Sequence, residues 1–348
     1  MLSTCRFFVL CCFWIGALHA LPSDPYELFK TMMGQKGMCE WLGCSQEQLW
    51  DIPIVQDKAK QPFNYYLKAI QYFKQKPINT IPKTIHFIWI GPKPFPEESI
   101  SNLISWKKHH PKWKFFFWTD DPNRPLPIEG IERRLVSNFD FGPIQALLEE
   151  SVSWGEKSDL MRYMILYKEG GVYSDHDVKC VRSFDLLVSH YDFVAGYEAM
   201  HNYTFSLNSP FVPNNGIILS CPHHAILGKT IERIISRWEG ICKKWSGNGS
   251  YSAVERVFET TFDPFAYCAS HFIDTGKYRN ILLPVCFLQS YFFFDEQVLQ
   301  ELKEQGYVYA IHCFGAAWKG AKRGGRKKGL LTRPTKLDRF ENDGIFSA

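Results

Sequence analysis

Between residues 81 and 318 the chain alternates short apolar runs with helical periods. Thr84 to Ile90 is a mostly apolar run, interrupted by His86, and reads as a buried strand. Glu97 to His109 reads as a helix, with Ile100, Leu103, Ile104 and the stem of Lys107 as its apolar stripe. Lys112 to Trp118 is a second strand, closed by Thr119-Asp120-Asp121-Pro122. Ile144 to Lys168 is helical with a break near Trp154-Gly155. Strands follow at Val172-Tyr173 and Phe193 to Tyr197. His223 to Trp238 is an amphipathic helix with Ile226, Ile231, Ile234 and Ile235 on one face. Strand–helix–strand alternation predicts an α/β fold with a mainly parallel sheet flanked by helices. Upstream, residues 22–80 show no sheet pattern, and Gln61 to Lys76 has helical spacing. No internal repeat and no domain break is evident inside 81–318.

The chemistry concentrates where one predicted helix runs into a strand. Lys157-Ser158-Asp159-Leu160-Met161-Arg162-Tyr163 leads through Gly170-Gly171-Val172-Tyr173 to Ser174-Asp175-His176-Asp177. The glycine pair lets the chain leave the helix and turn tightly. Asp175 and Asp177 are two apart, so in an extended segment both carboxylates face one ion and His176 faces away. Oxygen ligands suit Mg²⁺ or Mn²⁺, and such an ion neutralises a diphosphate. Asp159 and Arg162 share a helix face. They read either as site residues or as a surface ion pair, and the adjoining Asp-x-Asp favours the first. Open α/β sheets bind ligands at their strands' carboxyl ends. Ile90-Gly91, Trp118-Thr119-Asp120 and Asp175-His176-Asp177 all fall at such ends.

This segment resembles the sugar-binding region of the family 32 glycosyltransferases with a DXD motif. That group includes yeast Golgi mannosyltransferases and is similar to the clostridial glucosylating toxins. Four further blocks follow the family's order: residues 81–91 around Trp89, Trp118-Thr119-Asp120, Pro213-Asn214-Asn215-Gly216-Ile217-Ile218, and Ile311-His312-Cys313-Phe314-Gly315-Ala316-Ala317-Trp318. The resemblance implies a GT-A fold and a retaining transfer of a hexose from a nucleotide-sugar donor to a glycan, lipid or protein acceptor. It implies Asp175 and Asp177 as metal ligands with Mn²⁺ or Mg²⁺, Asp159 as acceptor of sugar hydroxyls, and Arg162 as the residue steadying the donor. Asn215 is either a donor or acceptor contact or a turn residue. Trp89 stacks on the base or fills the core. His312 is a third metal ligand or a hydrogen-bonded core histidine. Trp318 closes over the donor or merely anchors a loop. The pattern contains no clear nucleophile.

Composition narrows the setting. The 348 residues are 45% hydrophobic and 22% charged, an ordinary globular balance, with a high aromatic share of 16%. After Arg6, residues Phe7 to Leu18 form a 12-residue apolar run. That is short of the roughly 20 residues a bilayer span needs and suits a signal peptide or signal anchor over residues 1–20. Three of eleven cysteines lie there, and the remaining eight suit an oxidising compartment, with Cys39 and Cys44 the expected disulfide. Asn202-Tyr203-Thr204 and Asn248-Gly249-Ser250 are glycosylation sequons. The expected setting is therefore the secretory pathway or cell envelope. Residues 319–348 carry nine Lys/Arg against three Asp/Glu. They read as a flexible basic tail, or as one attracted to an anionic membrane surface. Nucleic acid is not an expected partner. The division is thus a leader (1–20), a helical lead-in (21–80), a glycosyltransferase domain (81–318) and a tail. Other readings are a secreted effector that glycosylates a host protein, or a non-catalytic carbohydrate- or nucleotide-binding protein on the same scaffold. A metal-dependent phosphohydrolase needs a larger ligand cluster than the sequence offers.

Overall fold

The computed structural model describes residues 21–151, 153–200, 209–245, 253–289 and 293–313. The leader, both sequons, Trp318 and the basic tail lie outside them. Strands β1 (Thr84–Ile88), β2 (Lys114–Thr119), β3 (Glu132–Leu135), β4 (Gly171–Ser174), β6 (Phe193–Tyr197), β7 (Pro213–Ser220) and β8 (Asn280–Leu283) form one sheet in the order β3-β2-β1-β4-β7-β6-β8. Six strands share one direction, and β7 alone runs antiparallel to both its neighbours. The expected mainly parallel α/β architecture is what forms. A second ladder pairs β5 (Val178–Cys180) with β9 (Ala310–His312), antiparallel.

Helices cover both faces. On β1, Phe87 meets Trp106 of the Glu97–His109 helix, while His86 on the opposite face bonds the Gly170 carbonyl at the end of the Trp154–Glu169 helix. The N-terminal helices, among them Pro25–Met32 and Pro53–Ala69, join the same hydrophobic core as the sheet. Tyr65 ties them down by donating to the Asn280 carbonyl at 2.7 Å.

Four details refine or overturn the sequence reading. The helix break expected near Trp154-Gly155 falls just before it, between the helices ending at Glu150 and starting at Trp154, where Ser153 caps the second by accepting from the Glu156 N–H at 3.1 Å. The Ala225–Trp245 helix buries Ile226, Ile231 and Ile234 but leaves Ile235 37% exposed. The Glu97–His109 helix is rotated from its expected stripe: Ile104 is 53% exposed, whereas Ser99, Asn102, Leu103 and Trp106 are buried. Cys39 and Cys44, the expected disulfide, stand as neighbouring free thiols that share a hydrogen bond across the turn at Gly43. Burial pushes the Cys39 thiol up to about 12. Among the described residues no helix is long and apolar enough to cross a membrane.

Candidate active site

Local sequence sets the first half of the site. The Trp154–Glu169 helix is buried on nearly every side from Asp159 to Leu166, so its polar residues need protein or ligand partners. It ends at Gly170 and Gly171, with φ of 67° and 98°. A Cβ on Gly171 would lie 2.3 Å from the Thr84 hydroxyl and 2.9 Å from its carbonyl. Only glycine allows the helix to turn there into β4, between β1 and β7. Asp175 to Asp177 then form the turn from β4 to β5. They do not extend the strand, yet both carboxylates still reach one point.

That convergence depends on two long-range supports. The rotated Glu97–His109 helix supplies the first. Ser99 bonds His176 Nδ1 at 2.8 Å, Asn102 donates to the His176 carbonyl at 3.2 Å, and Trp106 donates to the Val178 carbonyl at 3.0 Å. Polar residues on a buried helix face thus hold the Asp-x-Asp turn, and they seat the His176 ring against Trp89 and Phe95, where, contrary to the expectation that it faces away, it lines the same cavity as Asp175 and Asp177. The second support is the β5–β9 ladder, which pairs Val178 with His312 and lets Cys313 donate to the Asp177 carbonyl at 2.8 Å. His312 Nε2 lies 3.2 Å from Asp177 Oδ1 and 3.9 Å from Asp175 Oδ2. Its Nδ1 is 3.2 Å from Gln289 Oε1, the outer-shell arrangement that fixes a ligating imidazole. Ligand atoms of Asp175, Asp177 and His312 all lie within 4.8 Å of one another. Burial alone would lower the His312 pKa, but the hydrogen bond and charge of Asp177, with Asp175 behind, raise it. Two carboxylates and an imidazole at this spacing fit a divalent cation with mixed oxygen and nitrogen ligands.

Asp159 and Arg162 are not a surface pair: both are buried, with Arg162 Nη2 2.7 Å from Asp159 Oδ1 and 3.4 Å from Asp175 Oδ1. Arg162 Nη1 donates to the Asn215 carbonyl at 2.9 Å, and its guanidinium lies over Tyr173, 4.3 Å from the ring centre. Burial raises the Asp159 pKa, against the opposing pull of Arg162 and of Thr261, whose hydroxyl donates to Asp159 Oδ2 at 2.5 Å. Asn215 donates to the Tyr163 hydroxyl at 2.8 Å. One cavity of about 360 Å³ joins these groups. Trp89, Trp154, Asp159, Arg162, Asp175, Asp177, Asn215 and His312 line it, as do Glu198, Asn214 and Phe258. Its size falls within the usual range of small-ligand sites. Trp89 is partly exposed and fixed by donating to the Lys93 carbonyl at 2.9 Å.

Known proteins match the same stretch of the chain. Residues 96–194 match the family model for the glycosyltransferase sugar-binding region containing the DXD motif. This stretch is similar to a glycosyltransferase sugar-binding region. The matched span holds the helix that supports the turn, together with Asp159, Arg162, Asp175 and Asp177. Over 147 residues the chain is 31% identical to inositol phosphoceramide mannosyltransferase 1 of Schizosaccharomyces pombe, covering 40% of this chain and 42% of that protein. It is 30% identical over 117 residues to subversion of eukaryotic traffic protein A of Legionella pneumophila, covering 30% and 18%. The chain thus spans less than half the length of these relatives. Among solved structures it is similar to the PaToxG glycosyltransferase, with a TM-score of 0.43, 19% identity, and 70% and 85% of the two chains covered.

The Trp154–Glu169 helix is braced from a distant segment that the sequence pattern did not single out. Glu156 is fully buried. It accepts from the hydroxyls of Ser151 and Thr260 at 2.6 and 2.8 Å and from Arg256 Nε at 3.0 Å. These bonds lock the Trp154–Glu169 helix to the π-helical turn Phe258–Phe262, which brings Thr261 to Asp159 and Phe258 and Phe262 to the cavity wall. π-Turns recur at functional sites. Asp120, at the end of β2, accepts from the Gly91 N–H at 2.9 Å and so holds the loop after β1.

Proposed function

We propose that the protein is a metal-dependent, retaining hexosyltransferase. It moves a hexose from a nucleotide-sugar donor to a glycan, lipid or protein acceptor in the secretory pathway or cell envelope. The observation that carries this is the convergence of Asp175, Asp177 and His312 at the head of a cavity whose walls hold Asp159, Arg162 and Trp89. Asp175, Asp177 and His312 would hold Mn²⁺ or Mg²⁺. When bound, that cation supplies a Lewis acid for the departing diphosphate. Strand order divides the rest of the site. Trp89, following β1, offers an aromatic face for the base. Asp159 and Asn215, on the β7 side, offer polar groups for sugar hydroxyls. Arg162 fixes Asp159, Asp175 and the Asn215 backbone in one arrangement, so the donor meets preorganised groups. The apolar leader read from the sequence supports the secretory setting, whereas the eight cysteines behind it, all free thiols, do not add to it; the yeast relatives' names make a mannose donor and an inositol-phosphate lipid acceptor the first pair to try.

The test is a nucleotide-sugar panel assayed for donor hydrolysis with Mn²⁺, Mg²⁺ or excess chelator. One donor should turn over, and chelator should abolish that turnover. Silence across the panel, or turnover indifferent to chelator, contradicts the reading.

A further inference from the structure

The middle residue of the Asp-x-Asp turn joins the two halves of the site. His176 stands between Asp175 and Asp177, and its ring lines the same cavity as Trp89. The ring centres of His176 and Trp89 lie 4.9 Å apart with their planes at 82°. Phe95 completes the cluster, 5.4 Å from Trp89 at 76° and 5.8 Å from His176 at 72°. Each pair meets edge to face, the arrangement that aromatic quadrupoles favour.

Two of these rings are tied to the frame. Phe95 meets Phe117 of β2 edge to face at 5.6 Å. His176 Nδ1 bonds the Ser99 hydroxyl at 2.8 Å, and the His176 carbonyl accepts from Asn102 at 3.2 Å. Ser99 is fully buried, so water does not compete for its bond. Trp89 stands one residue past the end of β1, and its only side-chain donor goes to the Lys93 carbonyl in the loop that follows. One bond at the rim of an indole leaves the plane of the ring to be set by what packs on it. A histidine supplies both things this place needs: a flat ring to pack on Trp89, and a ring nitrogen that fixes its own rotation. Phenylalanine lacks the second and asparagine the first.

From this geometry, and resting on the transferase reading, we propose that His176 is a positioning residue that holds the base platform at a fixed setting relative to the metal ligands. Its chain neighbours are Asp175 and Asp177, whose ligand atoms converge with that of His312. A shift of His176 therefore moves the indole and both carboxylates together. In a nucleotide-sugar the ribose sets the span between base and diphosphate. A site that already keeps its two contact points at that span binds without having to order them. The gain appears only in ligands that engage both points. A nucleoside diphosphate does so, whereas inorganic pyrophosphate meets the cation alone.

The experiment uses the full chain with Mn²⁺ and measures the affinities of pyrophosphate, UDP and GDP for the wild type, His176→Ala, Ser99→Ala and Trp89→Ala. The wild type should prefer one nucleoside diphosphate to pyrophosphate, and Trp89→Ala should lose that preference. His176→Ala should lose about 5- to 10-fold of it while holding pyrophosphate near the wild-type affinity. Ser99→Ala, which leaves the cavity lining intact, should lose roughly 2- to 3-fold in the same sense. An unaltered preference in a folded His176→Ala overturns the proposal. So does an equal loss toward pyrophosphate and nucleotide, which makes His176 a support of the metal turn only. If His176→Ala does not fold, the same ratio measured on Ser99→Ala decides. A wild type without preference, or a Trp89→Ala that keeps it, fails the base-platform reading together with the proposal. Outcomes confined to His176 and Ser99 leave that reading standing.

Discussion

Two buried acid–arginine pairs lie three residues apart on the Trp154–Glu169 helix, and they differ in what surrounds them. Glu156 meets Arg256, Ser151 and Thr260, all protein groups from segments packed against the helix. Asp159 meets Arg162 and Thr261, but its pair also reaches Asp175 and lines the cavity. A buried charge enclosed by protein partners acts as a strut. A buried charge at the edge of a cavity next to other carboxylates is organised for something that is to enter. The comparison separates two roles that composition and spacing leave identical, since both acids sit in one helix and both bind arginine.

The strut should give the largest effect when broken. Glu156→Ala strands Arg256, whose other contacts are the neutral Cys242 sulfur and the Trp238 ring. Removing one partner of a buried ion pair costs about 3–5 kcal/mol, which a urea melt should register. Asp159→Asn should spare stability by comparison, because Arg162 keeps Asp175 and the Asn215 carbonyl. Its loss should appear in donor turnover: about 1.5–3 kcal/mol for a charge-assisted hydrogen bond, or roughly 10- to 150-fold. The reverse ranking, with Asp159→Asn unfolding the protein and Glu156→Ala merely slow, would break the comparison.

Acid sharpens it. Burial depresses His86, His110 and His224 to about 4 from an ordinary value near 6.5. Because the folded pKa values are the lower ones, the unfolded chain binds more protons between those limits. Stability is therefore complete above about pH 6.5 and is lost as pH falls toward 4, by up to about 3 kcal/mol per histidine. None of the three contacts Glu156, so melting temperatures of the wild type and Glu156→Ala should fall in parallel from pH 7 to 5. Curves that converge would tie the strut to a titrating group.

How much of this the sequence revealed depends on how local each feature is. Asp159, Arg162, Asp175 and Asp177 lie in one continuous stretch, so helix periodicity, a glycine pair and a two-residue spacing suffice to collect them. β1, β2 and the Glu97–His109 helix were legible from apolar pattern for the same reason. The Ser99–Asn102–Trp106 face was not: Ile104 drew the apolar stripe to the wrong side, while Ser99 and Asn102 are buried to hold the Asp-x-Asp turn. A polar pair at helical spacing beside a tryptophan was the available signal. The Glu156–Arg256 bridge spans 100 residues and the His312–Asp177 contact 135. Such contacts follow from tertiary packing, and no local pattern encodes them.

The central claim is that Asp175, Asp177 and His312 are one metal site serving the donor. The most direct measurement is calorimetric titration of Mn²⁺ with nucleoside diphosphate present, on the wild type, Asp177→Asn and His312→Ala. The wild type should bind one ion, and each variant should lose at least about 100-fold in affinity, at or beyond the limit of what an outer-shell partner contributes. Equal Mn²⁺ affinity in all three would contradict the account.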